Sequence, residues 1–448
     1  MLTRRLQHLA VRHSRTTLAI AVNNSSSSNR RSCSSQSDKN NNDSGDTNKT
    51  TDRHPLKGVR ILDLTRIVAG PYCTMVLADL GAEVIKVERP HHGDEARHWG
   101  PPFLKHSKDS TYFLPVNRNK QSICIDLKRG QKLIYELAKR SDVLVENYVP
   151  GTLERYGLGY EHFREMTPQL IYCTLSGYGS AGPYAKRPGY DVIAASIGGL
   201  LHITGEHDGP PSKVGVAVTD IATGLYAHGA ILAALYQRQR TQRGQKIEVN
   251  LLSTQISMLI NVASNYLNAG SEAQRWGTAH SSIVPYQSFK TLDGYLTIGA
   301  GSDAQFVELC RLLEIEHISA DPKFNTNTNR VQHRTELVGI LTEILECHTS
   351  KYWMGLFNKA PFPVGPVNSI REVFEDDHVN AIGLVKSLPH AKSGEVKVVG
   401  PPVVYSEAQN DARTAPPMLG EHTDQVLANL LEYSPSEIAD LRRQGIVQ

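Results

Sequence analysis

From Gly58 onward the chain alternates short β-branched runs with helical stretches at a regular spacing, and this alternation narrows its fold more than any other feature. Residues 59–64 (VRILDL) read as a buried strand, and residues 83–88 (EVIKVE) as the next one. Between them, 71–80 read as a helix with proline in its first turn and Gly81 just past its end, where each is favoured. That is one βαβ unit of the usual size. Further strands are expected at 122–127, 143–146 and 170–175, with helices at 131–140 and 161–166. The pattern predicts an α/β fold: a doubly wound, mostly parallel, Rossmann-like sheet.

The first loop, T-R-I-V-A-G-P, lacks G-x-G-x-x-G, and no G-x-x-x-x-G-K-[ST] occurs, so the sheet has no dinucleotide or P-loop cradle. Ligands of such sheets still bind at the carboxyl ends of the strands. Ile67, Val68 and Ala69 after the first strand, Arg89 after the second and Asn147 after the fourth would share that rim. Arg97, Lys120, Lys128, Arg155 and Arg187 fall in or near the same loops. As a group these cations suit a phosphorylated ligand; singly, each could be a solvated surface charge.

Residues 187–237 form the second landmark. They carry Asp220 where an apolar run, 213–218 (KVGVAV), expected as a strand, passes into a helix expected over 221–236. A carboxylate there either caps the helix, as Asp commonly does, or is kept for chemistry. Gly224, one turn on, is expected to leave room for a ligand beside it.

Composition closes off several classes. The chain has 48 Lys and Arg against 45 Asp and Glu, but eight of those bases and three of those acids fall in the first fifty residues. The remainder is near neutral, with no basic stripe for nucleic acid. No run of eighteen apolar residues suggests a membrane span. The six cysteines show no C-x-x-C pair and no regular spacing; most sit inside apolar segments and read as buried thiols in a reducing compartment. Residues 1–37 hold six arginines, many serines and no acid, with Leu2, Leu6, Leu9 and Val11 set among the bases. That fits a mitochondrial presequence, followed by a Ser/Asn-rich disordered tract, so residues 1–50 are assigned to targeting and a matrix location is expected.

Five blocks occur in order: GVRILDLTRIVAGPYCTMVLADLGAEVIKVERPHHGDEARHWG, NRNKQSICIDLK, VENYVPGTLERYGLGY, SGYGSAGPYAKRPGYD and VAVTDIATGLYAHGAILAALYQRQRTQRGQ. From Leu56 to the C-terminus the chain resembles the class III CoA-transferases. The segment WGTAHSSIVPYQ (276–287) resembles the branch that moves CoA from succinyl-CoA to glutarate or a related dicarboxylate. The resemblance implies that Asp220 is the nucleophile, acylated to a mixed anhydride and then converted to an aspartyl-CoA thioester. It implies CoA contacts at Ile67, Val68, Ala69, Arg89, Lys128, Asn147, Arg155 and Arg187. It also implies an interlocked homodimer and no cofactor beyond the CoA thioester substrate.

Two departures bear on the reaction. The family's racemases place His before the Asp of a G-H-D motif, where this chain has Tyr190 in P-G-Y-D. An ordinary phenol, with a pKa of about 10, is a poor base at neutral pH, which weighs against an acyl-CoA racemase or epimerase. A non-catalytic CoA-binding protein is the other alternative. Where the formyl-CoA transferases carry four glycines over the intermediate, this chain has Gly277-Thr278-Ala279-His280. Tyr190 and His280 are candidates to meet the acceptor acid, with a structural histidine as the other reading of His280.

The expected layout is a large CoA-binding domain over 55–252, a linker over 253–279, a small α+β domain over 280–385 and a return segment over 386–448. The small domain should hold a hairpin turning at Asp293-Gly294 and helices at 304–313, 334–348 and 350–358; one helix is expected over 427–441.

Overall fold

The computed structural model describes residues 53–106 and 109–448. The presequence reading, with Cys33, lies outside them. In chain order the large sheet is built from β1 (Arg60–Asp63), α1 (Ala69–Asp79), β2 (Glu83–Glu88), β3 (Lys120–Cys124), α2 (Gln131–Lys139), β4 (Val143–Glu146), α3 (Tyr160–Met166), β5 (Ile171–Ser176), α4 (Asp191–Ile197), α5 (Val218–Thr241) and β6 (Lys246–Asn250). All strand pairings are parallel, in the order β3-β2-β1-β4-β5-β6.

The pleat explains why these strands are apolar throughout. Successive side chains point to opposite faces, and here both faces are covered. Ile61, Val84, Val143 and Ile171 enter one core with Leu77 of α1 and Ala227 and Ile231 of α5. Their neighbours Leu62, Ile85, Leu144 and Tyr172 enter the other with Leu133 and Leu137 of α2 and Phe163 of α3. Each fully buried aliphatic side chain contributes roughly 1.5–3 kcal/mol of transfer free energy.

The predicted strand at 213–218 does not exist. The segment is irregular and Val216 is 60% exposed. A strand needs a pairing partner, and the outer edge of β5 is already taken by β6 over Tyr172–Ser176. β6 escaped the sequence reading because it is an edge strand carrying Lys246 and Glu248, so no apolar run marks it. The third strand starts two residues earlier than predicted, at Lys120. α5 is long and apolar enough, by length and composition, to cross a bilayer. In this fold it packs its Ala227, Ile231 and Ala234 face into the core against α1 and the sheet.

Beyond the sheet, β7 (Tyr286–Lys290), β8 (Tyr295–Gly299) and β9 (Val364–Pro366) form an antiparallel sheet over a third core, shared with helices Asp303–Leu312, Arg334–Leu345 and Ser350–Leu356. The hairpin turns at Asp293-Gly294 as predicted, closed by the Thr291 amide on the Gly294 carbonyl. β10 (Val385–His390) and β11 (Gly394–Val399) make a separate hairpin. The helix predicted over 427–441 is two helices, Thr423–Asn429 and Pro435–Arg443. Glu432 sits at φ 62° between them, and Ser434 starts the second with a capping box. Val426, Leu427, Ile438 and Val447 from this end enter the second core of the large sheet. Cys73, Cys124, Cys173 and Cys310 are buried thiols, whereas Cys347 is exposed.

Candidate active site at the carboxyl ends of the sheet

β1 opens one half of the sheet and β4 the other, so their following loops diverge and leave a crevice between them. The loop after β1 is fixed to its surroundings residue by residue. Asp63 Oδ1 accepts from the Thr65 amide (2.8 Å) and Lys86 Nζ donates to the Thr65 carbonyl (2.7 Å). The Arg66 amide donates to Asn147 Oδ1 (2.9 Å), and Asn147 Nδ2 returns a bond to the Arg66 carbonyl (2.7 Å). Ile67 donates its amide to Asp94 Oδ1 (2.9 Å) and adopts φ 72°. That left-handed conformation is rare for a β-branched residue.

Beneath the loop lies a buried set of charges. Lys120 pairs with Asp63 at 3.0 Å, Lys86 with Asp94 at 2.9 Å, and Arg97 grips Glu88 through two bonds of 2.8 and 2.7 Å. Burial alone would raise Asp63; Lys120, Lys86 and the Thr65 and Thr74 hydroxyls outweigh it and hold the carboxyl at about 2. Burial, acting against the attraction of Asp63, draws Lys120 down to about 8, so it still carries its charge at neutral pH. Arg97 and Lys120, grouped by sequence with the ligand cations, therefore point inward and serve the scaffold.

Above the network is a cavity of about 340 Å³, lined by Arg66, Arg89, Gly93, Lys128, Tyr148 and Tyr156 among others. Arg89 and Lys128 are exposed to it, Lys128 Nζ lying 5.5 Å from the centre of the Tyr156 ring. A second cavity of about 150 Å³ shares Arg66 with the first. Ile67, Val68, Ala69, Asn147, Ser176, Gly177, Gly189, Tyr190 and Asp220 line it. Gly177 and Gly189 pass so close that a Cβ on Gly177 would come within 2.8 Å of the Gly189 Cα.

Asp220 sits in the first turn of α5 and is 9% exposed. It is not the cap. Asp191 is: its Oδ1 accepts from the amides of Thr219 (2.8 Å) and Asp220 (3.1 Å). Among the described residues the Asp220 carboxylate has no hydrogen-bond or ion-pair partner, and burial, then the charge of Asp191, push it up to about 7. A carboxylate left bare, half ionised at neutral pH and opening on a cavity beside a strained loop has the attributes of a nucleophile rather than of a structural group.

The sequence model of CoA-transferase family III matches residues 56–423. This chain is a family III CoA-transferase. It is 51% identical to the mouse succinyl-CoA:glutarate CoA-transferase over 396 residues, covering 88% of this chain and 90% of that one. It is 49% identical to the human succinyl-CoA:glutarate CoA-transferase over 395 residues, again 88% and 90% of the two chains. Among solved structures, a CAIB/BAIF family protein from Brucella suis superposes with a TM-score of 0.77 at 39% identity, over 84% of this chain and 100% of that one.

The transferase brings some of the sequence candidates together and leaves others apart. Ile67, Val68, Ala69, Asn147, Tyr190 and Asp220 share one cavity; Arg89 and Lys128 share the other. Arg155 and Arg187 line neither. Arg155 turns back onto Gly151 and Thr152 of its own helical turn, and the Arg187 guanidinium stacks 4.2 Å over Tyr184. His280 stacks on Tyr286, and its Nδ1 accepts from the Ser282 amide at 3.1 Å, away from the Asp220 cavity of this chain. Gly224 makes no room for ligand: a Cβ there would meet the Ala69 carbonyl oxygen at 2.7 Å, so its role is to seat α5 against the start of α1. Tyr112 was missed altogether. Its ring lies tilted at 59° beside that of Trp99, and its pKa is raised by burial and then by the charges of Asp220 and Asp191. It lies in an unremarkable stretch of sequence, about a hundred residues before those two carboxylates, so nothing local marks it.

Proposed function

We propose that this transferase moves CoA from succinyl-CoA to glutarate or a related dicarboxylate, with Asp220 as the nucleophile. The observation that carries the reading is the unpaired Asp220 carboxylate at the inner end of a two-chambered crevice. The names of the mouse and human relatives supply the substrates. The outer chamber, with Arg89, Lys128 and Tyr156, suits the phosphates and adenine of CoA. The pantetheine arm would then run past Ile67–Ala69 and deliver the thioester to Asp220.

The ionised Asp220 attacks the thioester carbonyl, giving a succinyl-aspartyl anhydride and CoA thiolate. The thiolate attacks the aspartyl carbonyl, which releases succinate and leaves an aspartyl-CoA thioester. Glutarate attacks that thioester, freeing the thiolate and forming a glutaryl-aspartyl anhydride, and thiolate attack on the glutaryl carbonyl yields glutaryl-CoA and regenerates Asp220. Every step exchanges one acyl bond for another, so no cofactor is required. Burial favours the sequence because water would hydrolyse each intermediate. A homodimer, a mitochondrial matrix location and a contact between His280 and the acceptor acid belong to the same proposal.

The test is incubation with succinyl-CoA and glutarate, with glutaryl-CoA followed by mass spectrometry. Asp220→Asn is expected to lower turnover by about 10⁴-fold or more while CoA still binds. Near-normal turnover in that variant, or deuterium uptake at the α-carbon of a branched acyl-CoA in place of exchange, would defeat the reading.

A further inference from the structure

We propose that the buried Asp94–Lys86 pair is a positioning device that holds the CoA-facing turn at Ile67 in its strained form before ligand arrives. The inference rests on the functional reading above, in which residues 67–69 contact CoA. Ile67 adopts φ 72°, a conformation its branched side chain resists. Such a conformation persists only where the surroundings over-determine it. Here they do. Asp94 Oδ1 accepts the Ile67 amide at 2.9 Å, and Asp94 Oδ2 lies 2.9 Å from Lys86 Nζ, both side chains being wholly buried. The same ammonium donates to the Thr65 carbonyl at 2.7 Å, two residues before Ile67. One charge pair therefore grips the turn at both ends.

The pair is itself immobilised. The Asp94 amide donates to Glu88 Oε2 at 3.0 Å, and Glu88 is clamped by Arg97. Asp94 also caps its own short turn by accepting the Ala96 amide at 2.9 Å, an ordinary local role. The bond to Ile67, 27 residues earlier, has no such local explanation. Stability alone is a poor reason for the arrangement, because a buried ion pair commonly stabilises no better than apolar side chains of the same volume. What the pair supplies, and an apolar pair would not, is an acceptor fixed under one backbone amide and a donor fixed under a nearby carbonyl.

The experiment is a double-mutant cycle between Asp94→Asn, which keeps an oxygen but removes the charge, and Ile67→Gly, which adopts positive φ freely. CoA affinity is read by calorimetry and stability by thermal unfolding. With isoleucine at 67, Asp94→Asn is expected to weaken CoA binding about tenfold; with Ile67→Gly already present, less than about threefold. An equal loss in both backgrounds, tracking the fall in Tm, overturns the proposal and leaves Asp94 as general support for the fold. Should Asp94→Asn not fold, hydrogen exchange at the Ile67 amide of the wild-type protein decides the matter. Protection without CoA supports the proposal, and protection appearing only with CoA overturns it. Wild-type protein that binds no CoA in the titration takes the functional reading and this inference down together, whereas CoA binding with an additive cycle removes this inference alone.

Discussion

Two buried carboxylates stand near the same crevice and behave in opposite ways. Asp63, at the end of β1, has Lys120 and Lys86 beside it and two hydroxyls on its oxygens, and is held at about 2. Asp220, at the start of α5, has no cation paired with it among the described residues, and Asp191 lies beside it; it rises to about 7. Burial pushes both upward by the same mechanism, so the difference lies in what surrounds each one. The lesson is that one region spends buried charge on rigidity and the other leaves a charge unsatisfied for reaction.

Removing one partner is the hardest blow to that contrast. Lys120→Met leaves Asp63 buried without its nearest cation and is expected to destabilise the fold by about 3–5 kcal/mol, read from urea unfolding. If the loss is negligible, the network is not what fixes the loop.

The pH dependence of stability should run in opposite directions for the two acids. Asp220 rises from its usual 3.8 to about 7, so the folded state binds the extra proton and stability falls as pH climbs between those values. At pH 8, Asp220→Asn is therefore expected to stabilise the protein by up to about 4 kcal/mol, and at pH 4 to change little. Asp63 falls from 3.8 to about 2, so its contribution of roughly 2 kcal/mol is present above pH 3.8 and is lost as pH drops through the folded value. Melting curves of Asp220→Asn and of the parent across pH 4 to 8 check the first sign; a variant that is less stable at pH 8 contradicts it.

Gly224→Ala probes the seam that holds Asp220 against the loop. Its methyl would meet the Ala69 carbonyl, so a loss of about 1–3 kcal/mol is expected together with a fall in kcat/KM, because α5 must move away from residues 67–69. The smallest effect is the sharpest. Asp191→Asn keeps the oxygen that caps α5 but removes its charge, so the acidic limb of the kcat/KM profile, expected near 7, should move to lower pH by less than about one unit. An unmoved limb would assign the rise of Asp220 to burial alone.

The fold was largely legible because the strands of a sheet covered on both faces are apolar along their whole length. β2 and β4 fall where the sequence places them, and β1 and β5 within a residue at each end. β6 was not legible, since an edge strand with charges looks like a loop, and residues 213–218 misled because β-branched composition does not guarantee a pairing partner. Ile67 to Ala69, Arg89, Lys128, Asn147 and Asp220, which the sequence puts after strands or at the start of a helix, all line the two cavities. Lys120 and Arg97 could not be sorted from ligand cations, because sequence does not tell which way a side chain turns.

Local sequence determined the alternation of elements, the turn chemistry and the isolation of Asp220 in an apolar stretch, since propensity and periodicity act over a few residues. Tertiary structure alone decided that Asp191 rather than Asp220 caps α5, that Lys86 and Asp94 meet beneath Ile67, and that the charges of Asp220 and Asp191 act on Tyr112. Those outcomes depend on which charges share a low-dielectric interior, and residues far apart in the chain become neighbours there only once the sheet has formed.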